Sequence, residues 1–334
     1  MAKNKPLQAA KRAKQDEFYT QLTDIENELK RYRKHFRGKT VYCNCDDPIV
    51  SNFYVYFRYN FEKLGLKKLI TTCYKNQNPG LFSEHDEETA AGLEYIGNGT
   101  DPTVFQLKED GDFRSRECME LLKQADIVVT NPPFSLFREY IAQLVYYSKK
   151  FVVIGSMNAI TYKEIFPLIK SGRVWLGHGP AGKDMLFDVP EDYATEFVRN
   201  KKEGSAYRRV DGVIKGRLGN ACWFTNLDHK KRHEDLILYK KYAPDEYPKY
   251  DNYDAINVNK TDHIPVDYAG EMGVPISFLD KHNPDQFEIV SANDIRANAN
   301  VPVKPHGLIK DKDGAIDGKP TYVRIVIRNK RIQP

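Results

Sequence analysis

The chain has 334 residues, 41% of them hydrophobic and 29% charged, and a formal net charge of +5. This length suffices for one large domain or two of ordinary size, and no apolar run approaches the roughly 20 residues of a membrane-spanning helix. The N-terminus leads into charged residues rather than into the apolar core of a signal peptide, so we expect a cytoplasmic protein without membrane association.

Helix and strand patterns alternate through the first half of the chain. Residues 1–15 are predicted to form a flexible basic arm. From Leu22 to Phe36, apolar residues recur at helical spacing, which predicts one helix that ends at Gly38. Further strands are predicted at 40–45, 68–74, 104–107 and 126–130, and further helices at 53–64, capped by Ser51, and at 115–124. The polar stretch 75–102 is predicted to be a loop or a small hairpin.

The second half begins in the same way and then changes. Strands are predicted at 151–155 and 173–176, with a helix at 161–171 between them. The segment 178–219 is expected to be rich in loops, and a late strand is predicted at 220–225. After Asp228, Tyr, Asn, Asp and Pro accumulate without helical periodicity, which predicts a separate irregular or β-rich lobe.

These patterns define a fold class. Alternating strands and helices predict parallel βαβ units, and short uninterrupted β-branched runs predict strands that are buried on both faces. The fold class is therefore α/β, with a doubly wound, mostly parallel sheet. Ligands bind such sheets outside the carboxyl ends of the strands, where Asp46, Asp47, Asp112 and Asn131 all fall. Each aspartate alone is more often a turn residue or a helix cap, but their shared position predicts a pocket.

The corner Asn131-Pro132-Pro133-Phe134 directly follows one of these strands. Two prolines fix the backbone and remove two N–H donors, so the corner presents carbonyl oxygens, an amide and an aromatic ring. A nucleobase amine that donates to the Asn131 side-chain oxygen and the Pro132 carbonyl would direct its lone pair at an electrophile, while Phe134 stacks on the base. The structural alternative is a Pro-Pro strand terminator with Phe134 in the core.

Basic residues cluster in two segments. Residues 1–37 hold ten basic residues against five acidic ones, and residues 199–217 hold seven against two, with Arg208 and Arg209 among them. Such clusters suit a polyanion, although a solvated surface is the commoner explanation of any one cluster.

Several common ligand motifs are missing from the sequence. The five cysteines show no repeated C-x-x-C spacing, so neither a disulfide framework nor a zinc site is indicated. His229 and His233 lie four residues apart, but we interpret them as part of a solvated basic turn rather than a metal site. The first βα turn has no G-x-G-x-x-G, which argues against a nicotinamide-dependent dehydrogenase.

A strand followed by Asn-Pro-Pro-Phe in a doubly wound sheet resembles the amino-methyltransferases, which are Rossmann-like enzymes that use S-adenosylmethionine. Further segments resemble the EcoRI-type adenine-specific DNA methyltransferases: Asp16 to Gln21, Val41 to Pro48, Gly111 to Ser115, Tyr250 to Val258 and Gly273 to Ile276. The resemblance covers most of residues 16–332. It implies transfer of a methyl group from S-adenosylmethionine to N6 of a flipped-out adenine in duplex DNA.

The resemblance also implies roles for individual residues. Asn131, Pro132, Pro133 and Phe134 match the catalytic motif. The residues implied to bind the cofactor are Tyr19, Thr20, Asn44, Cys45, Asp46, Asp47, Asp112 and Phe113. Of these, the 19–20 segment would close over the methionine end, and the 112–113 segment would hold the adenine. The 44–47 segment departs from the glycine-rich turn of most methyltransferases, so either of its aspartates is a candidate for the cofactor ammonium group.

Four further residues are implied to contact the substrate. Trp223 or Phe224 matches a late aromatic residue that packs against the flipped base, with a position in the core as the alternative. Arg208 and Arg209 belong to the basic segments that would hold DNA phosphates.

The same resemblance implies a division of the chain into functional domains. Residues 16–227 are expected to form the catalytic domain, with a DNA-contacting loop insertion at 178–219, and residues 228–334 the target-recognition region. We expect a monomer that acts on double-stranded DNA, as in a restriction-modification system or a mobile element.

Two other functions remain open from the sequence. An Asn-Pro-Pro-aromatic corner also serves methyltransferases of RNA or of a protein glutamine, although the C-terminal lobe of roughly 100 residues exceeds what a small protein substrate needs. The chain is alternatively an inactive DNA-binding relative, against which the intact Asn131, Phe134 and Asp112 argue. A cytosine-N4 enzyme more often has serine in place of Asn131.

Overall fold

The computed structural model describes residues 19–45, 51–74, 90–179, 181–189, 194–195, 198–199, 203–205, 207–251, 253–290 and 315–332. The predicted arm 1–15 lies outside these ranges. The chain divides into two compact units, of which the first holds residues 1–159 and 179–228 and the second holds residues 160–178 and 229–334. Within the described ranges, no helix is long and apolar enough to cross a membrane.

Short helices and strands make up both units. The helices are α1 (Leu22–Leu29), α2 (Arg33–Phe36), α3 (Asn52–Tyr59), α4 (Phe61–Leu64), α5 (Arg116–Gln124), α6 (Phe137–Tyr146) and, in the second unit, α7 (Phe166–Lys170). The strands up to residue 225 are β1 (Tyr19–Thr20), β2 (Thr40–Cys43), β3 (Lys68–Thr72), β4 (Ala91–Tyr95), β5 (Thr103–Gln106), β6 (Ile127–Thr130), β7 (Lys150–Ser156), β8 (Trp175–Leu176, in the second unit), β9 (Lys183–Asp188), β10 (Tyr207–Val210) and β11 (Val213–Thr225).

The strands of the first unit form a sheet in the order β1-β9-β11-β7-β6-β2-β3-β4-β5, with β10 paired to β11. Its centre, β7-β6-β2-β3, is parallel, and the strands on either side are antiparallel. From β2 the chain continues to β3 on one side and later to β6 on the other, so the strand order reverses beside β2. The predicted doubly wound α/β sheet is confirmed.

Local sequence explains the central elements. Strands β2 and β6 are buried along their whole length, as β-branched and apolar residues covered on both faces should be. The predicted cap Ser51 accepts a hydrogen bond from the Phe53 N–H at 3.1 Å, and Ser115 accepts one from the Cys118 N–H at 3.2 Å. Each serine thereby satisfies one of the donors that a helix start leaves without a partner.

The helix predicted from Leu22 to Phe36 is two helices, α1 and α2. Between them, the N–H groups of Arg31 and Tyr32 bond to carbonyls only three residues back. These bonds tighten the chain into a turn but leave Tyr32 and Phe36 buried with Leu29. The apolar spacing therefore reports the buried face correctly and does not reveal the break.

The segment 178–219 is not the loop that the sequence suggested. It contains β9, β10 and the first half of β11, which extend the sheet by antiparallel pairing. In β9, Met185 and Phe187 are buried in the core, with the half-buried Leu186 between them and Asp184 and Asp188 on either side. The flanking charged residues obscured the strand pattern. In the 75–102 stretch, residues 75–89 lie outside the described residues, so the expected loop or small hairpin there stays a prediction. Strand β4 pairs antiparallel with β3 and with β5, which lies beyond the stretch.

The second unit is rich in short strands, as predicted for the C-terminal lobe. Besides β8, they are β12 (Lys249–Tyr250), β13 (Tyr253–Asn257), β14 (Glu271–Pro275), β15 (Phe287–Ile289), β16 (Ala315–Ile316), β17 (Lys319–Pro320) and β18 (Arg324–Asn329). Five of them form a sheet in the order β12-β13-β14-β18-β15. Strands β13 and β14 are parallel, so their carboxyl ends lie at the same edge of that sheet.

Candidate active site

The corner leaves the first sheet at the carboxyl end of β6. Asn131 is only 6% exposed, and the prolines lead into a 3-10 turn, Phe134–Leu136, that runs on into α6. Phe134 is half-buried: one part of the ring packs against the main core and the remainder is accessible. This exposure fits a ring that stacks on a planar ligand better than a pure core residue.

Asn44 leaves the same edge of the sheet on the neighbouring strand. In the parallel pairing of β2 with β6, Tyr42 lies opposite Val128, so the carboxyl ends of the two strands are adjacent. Asn44 and Asn131 therefore stand side by side where the strand order reverses, the position at which sheets of this class bind ligands.

Tyr140 on α6 fixes Asn44. The Tyr140 hydroxyl donates to Asn44 Oδ1 at 2.5 Å, and burial raises the pKa of Tyr140 well above its ordinary value, so the hydroxyl stays a neutral donor. Asn44 is 2% exposed, and its Nδ2 has no partner among the described residues. Tyr140 is not among the residues predicted from the sequence, where its one signal is a hydroxyl within the buried face of a helix that follows the corner.

The loop before α5 reaches the same place. Gly111 has a φ of +75°, and a Cβ there would lie 2.1 Å from the Cys73 carbonyl oxygen, so the loop passes directly over the end of β3. The Phe113 ring lies 5.0 Å from the Tyr140 ring, and Gln143 donates to the Phe113 carbonyl at 3.0 Å. The structure thus gathers Asn44 and Phe113 around the helix that follows the corner.

Asp112 already has a strong partner within this loop. Arg114 donates to both of its carboxylate oxygens, from Nε at 2.9 Å and from a terminal nitrogen at 2.7 Å. Burial alone would raise the pKa of the Asp112 carboxyl, but the hydrogen bonds and charge of Arg114 lower it below its ordinary value. Asp112 is therefore a fixed carboxylate, and Arg114 is a second residue that the sequence analysis missed.

The remaining predicted cofactor residues lie at the edges of this arrangement. Thr20 pairs with β9 through Phe187, and its carbonyl accepts from Asn52 Nδ2 at 2.8 Å. The Thr20 hydroxyl is buried without a partner among the described residues. Tyr19 precedes it in β1, and Cys45 is half-buried next to Asn44. The candidates Asp46 and Asp47 lie outside the described residues.

The two aromatic substrate candidates are core residues in this structure. Phe224 has no exposed surface and packs on Phe137 with the ring centroids 5.0 Å apart. Trp223 is 5% exposed and meets Phe53 edge to face. These positions support the packing interpretation, because a side chain without exposed surface offers nothing for a base to stack on.

The two arginine candidates are exposed but not free of acidic partners. Arg208 pairs with Asp184 at 2.8 Å and Arg209 with Glu203 at 3.8 Å. Asp184 also accepts two hydrogen bonds from Arg217. Part of the positive charge that the sequence suggested for this segment is therefore compensated within the chain.

Comparison with known proteins decides the family. The model of the family described as "Adenine-specific methyltransferase EcoRI" matches residues 6–330. This chain belongs to that family. The resemblance inferred from the sequence is confirmed, and the chain is an adenine-specific DNA methyltransferase, an enzyme that needs a methyl donor.

Three relatives of this EcoRI-type methyltransferase match over nearly their whole length. Type II methyltransferase M.EcoRI from Escherichia coli is 50% identical over 99% of this chain and 98% of its own. Type II methyltransferase M.MgeORF184P from Mycoplasma genitalium is 39% identical, covering 97% and 98%. Type II methyltransferase M.MpnI from Mycoplasma pneumoniae is 37% identical, covering 96% and 97%. No solved structure matches the chain.

Proposed function

We propose that this chain transfers a methyl group from S-adenosylmethionine to the N6 amine of an adenine flipped out of duplex DNA. The observation that carries the proposal is the position of the Asn131 to Phe134 corner, at the carboxyl end of β6 and beside β2. There a base held by the corner lies next to any ligand held by Asn44.

The corner performs the reaction chiefly by holding the amine. The exocyclic nitrogen of adenine is a poor nucleophile because its lone pair is delocalised into the ring. When its two N–H groups donate to Asn131 Oδ1 and to the Pro132 carbonyl, the nitrogen becomes more tetrahedral and its lone pair gains a direction. Burial of Asn131 strengthens these hydrogen bonds, and Phe134 sets the plane of the base.

The described residues suit S-adenosylmethionine. Asn44 Nδ2 and the Thr20 hydroxyl are buried without partners among the described residues, in two of the three segments implied to bind the cofactor. An amide donor and a hydroxyl match the carboxylate, ammonium and hydroxyl groups of this molecule. When bound, S-adenosylmethionine supplies a methyl group on a positively charged sulfur. Asp112 and Phe113 would hold its adenine, with Asp112 kept ionised by Arg114.

The names of the relatives support a site-specific role. All three are called Type II methyltransferases, which supports methylation of a defined DNA sequence within a restriction-modification system. In this proposal residues 16–227 carry catalysis, residues 228–334 recognise the target, and the enzyme acts as a monomer. The exposed Arg208 and Arg209 would contact phosphates by exchanging their carboxylate partners.

Removal of the Asn131 amide tests the mechanism. We expect purified wild-type protein to transfer labelled methyl groups to duplex DNA, and sequencing of modified bases to identify N6-methyladenine. Asn131→Ala should lower the turnover number by about 100-fold or more, because an acceptor for the amine is lost. Cofactor affinity measured by calorimetry should stay within about threefold of wild type.

The matched control is Asn27→Ala, which removes an exposed amide from α1. It should retain full activity. A near-normal rate for Asn131→Ala contradicts the role of the corner, and methylation of RNA or protein without methylation of DNA contradicts the proposed substrate.

A further inference from the structure

Arg324 differs in its surroundings from the other arginines near the C-terminus. Arg328 pairs with Glu271 at 2.8 Å and with Glu288 at 3.2 Å. Arg331 pairs with Asp235 at 2.9 Å. Among the described residues, Arg324 has no carboxylate partner and is bonded instead by neutral amides. Its positive charge is therefore not compensated locally.

Two asparagines hold the Arg324 guanidinium in one orientation. Asn257 Oδ1 accepts from Arg324 Nε at 3.2 Å, and Asn259 Oδ1 accepts from its Nη2 at 3.3 Å. Asn257 Nδ2 donates to Asn259 Oδ1 at 2.9 Å, which joins the two amides. The bonds connect the end of β13 to the start of β18.

A buried tyrosine supports this network. The Tyr250 hydroxyl donates to Asn257 Oδ1 at 2.8 Å, and both residues are 5% exposed. Burial raises the pKa of Tyr250 to about 12, so the hydroxyl remains a donor at neutral pH. Gly273 makes room for the ring, because a Cβ at that position would lie 2.2 Å from the Tyr250 hydroxyl oxygen.

The outward side of the network offers unused hydrogen-bonding groups. Asn259 is exposed, and its Nδ2 has no partner among the described residues. A guanidinium has five N–H donors, and the bonds from Arg324 Nη1 to the carbonyls of Tyr322 and Val323 are long, at 3.4 and 3.5 Å. The Tyr322 side chain beside them is 86% exposed.

We propose that Arg324 and Asn259 read base edges of the DNA target, oriented by Asn257 and Tyr250. The inference rests on the proposed function and names residues that determine its specificity. Arginine and asparagine are the side chains that recognise purine edges in the major groove. A phosphate contact needs only a positive charge on a flexible side chain, whereas a base contact needs a fixed direction. A network that fixes both groups through the buried Asn257 and Tyr250 therefore favours base recognition.

The test compares Arg324→Gln with Arg328→Gln, since both remove one charge from the same strand. The methylated sequence is first mapped in DNA from cells that express the wild-type enzyme. The kcat/KM is then measured on a duplex with that sequence and on duplexes that each carry one changed base pair. Arg324→Gln should lose about 10- to 100-fold on the mapped sequence and lose discrimination at one base pair. Arg328→Gln should stay within about threefold.

Two further variants separate base contact from phosphate contact and from misfolding. Arg324→Lys keeps the positive charge but not the planar guanidinium that can donate two parallel hydrogen bonds. It should therefore lose discrimination between base pairs as Arg324→Gln does. Tyr250→Phe keeps the ring and should weaken discrimination at the same base pair, with melting temperature and cofactor affinity close to wild type.

Three results overturn the inference. The first is a phosphate contact. In that case Arg324→Gln loses the same factor in kcat/KM on every duplex and its kcat/KM depends less on salt concentration, while Arg324→Lys stays active. Unchanged specificity in all variants of an active enzyme means no contact and leaves the proposed function intact. A wild-type enzyme that methylates no DNA overturns both.

Discussion

Tyr140 is the side chain at which two of the segments proposed to bind the cofactor meet. Its hydroxyl orients Asn44, and its ring packs against Phe113. Both contacts come from α6, the helix that follows the Asn131 to Phe134 corner. A change at Tyr140 is therefore expected to act on cofactor binding through Asn44 and Phe113, the residues proposed to touch the cofactor.

Tyr140→Phe should weaken binding of S-adenosylmethionine by about tenfold, because it leaves the buried Asn44 Oδ1 with only the weak Cys45 thiol donor at 3.6 Å, a loss of about 1–3 kcal/mol. Calorimetry measures the affinity. The turnover number at saturating cofactor should stay within about threefold, because the corner itself is unchanged.

Tyr146→Phe is the control for this prediction, since Tyr146 lies on the same helix and is 81% exposed. It should leave affinity and turnover unchanged. Unchanged affinity in Tyr140→Phe as well contradicts a positioning role for the hydroxyl.

At this scale the sequence predicted residues that stand in recognisable motifs and missed the residues that support them. The corner could be read from four adjacent residues because its chemistry is local. Tyr140 acts through Asn44, which lies 96 residues away and is brought near only by the fold. Arg114 lies two residues from its partner Asp112, but the two-point contact of its guanidinium with that carboxylate shows only in the structure. The aromatic pair Trp223 and Phe224 shows the opposite case, in which residue type suggested a ligand contact and burial places both in the core.

At the scale of elements, the loop between β5 and α5 depends on one glycine. Gly111 combines a positive φ with a close approach to the Cys73 carbonyl. Gly111→Ala must therefore shift the backbone that carries Asp112 and Phe113. We expect cofactor affinity to fall by about tenfold or more and the melting temperature to drop, as measured by calorimetry and thermal unfolding.

Gly99→Ala provides a matched control. Gly99 also has a positive φ, +68°, but a Cβ there would meet nothing within 4 Å. This variant should lose about 1 kcal/mol of stability from backbone strain alone and bind the cofactor normally. Equal effects on affinity in both variants would show that the approach to Cys73 has no role in the site.

Element prediction succeeded where one residue type dominates a short stretch. The central strands β2, β6 and β7 consist mainly of β-branched and apolar residues, and their burial follows from that composition. Strand β9 has charged residues at 183, 184 and 188, and β10 has Arg208 and Arg209 at its centre. Pairing with β11, rather than local strand propensity, stabilises these two strands. For this reason the sequence predicted loops there.

At the scale of the whole molecule, local patterns do not tell which unit an element joins. Residues 160–178 continue the helix and strand alternation of the first unit, yet they fall in the second unit together with residues 229–334. Membership is decided by contacts far apart in sequence. The functional domain boundaries at 16, 227 and 228 remain predictions that deletion and activity measurements can test.

Each unit carries one of the two tryptophans of the chain, which gives separate reporters of unfolding. Trp175 belongs to the second unit, where it lines a cavity together with His282. The Nε2 atom of His282 lies 3.1 Å from the Phe287 carbonyl oxygen. Since a carbonyl only accepts, Nε2 carries the proton and the neutral ring satisfies this bond.

The buried His282 predicts acid sensitivity of the second unit. Burial, together with the charges of Arg232 and Lys330, lowers the pKa of His282 from 6.5 to about 4. Between these values the unfolded chain binds a proton that the folded chain does not, so its stabilising contribution is fully present above pH 6.5 and is lost as the pH falls towards 4. The free energy of unfolding should fall by about 3 kcal/mol across this window. Urea unfolding of Trp223→Phe protein, followed by Trp175 fluorescence, measures this loss of stability. Adding His282→Gln should remove most of the pH dependence. The same pH dependence with and without His282 would contradict this origin.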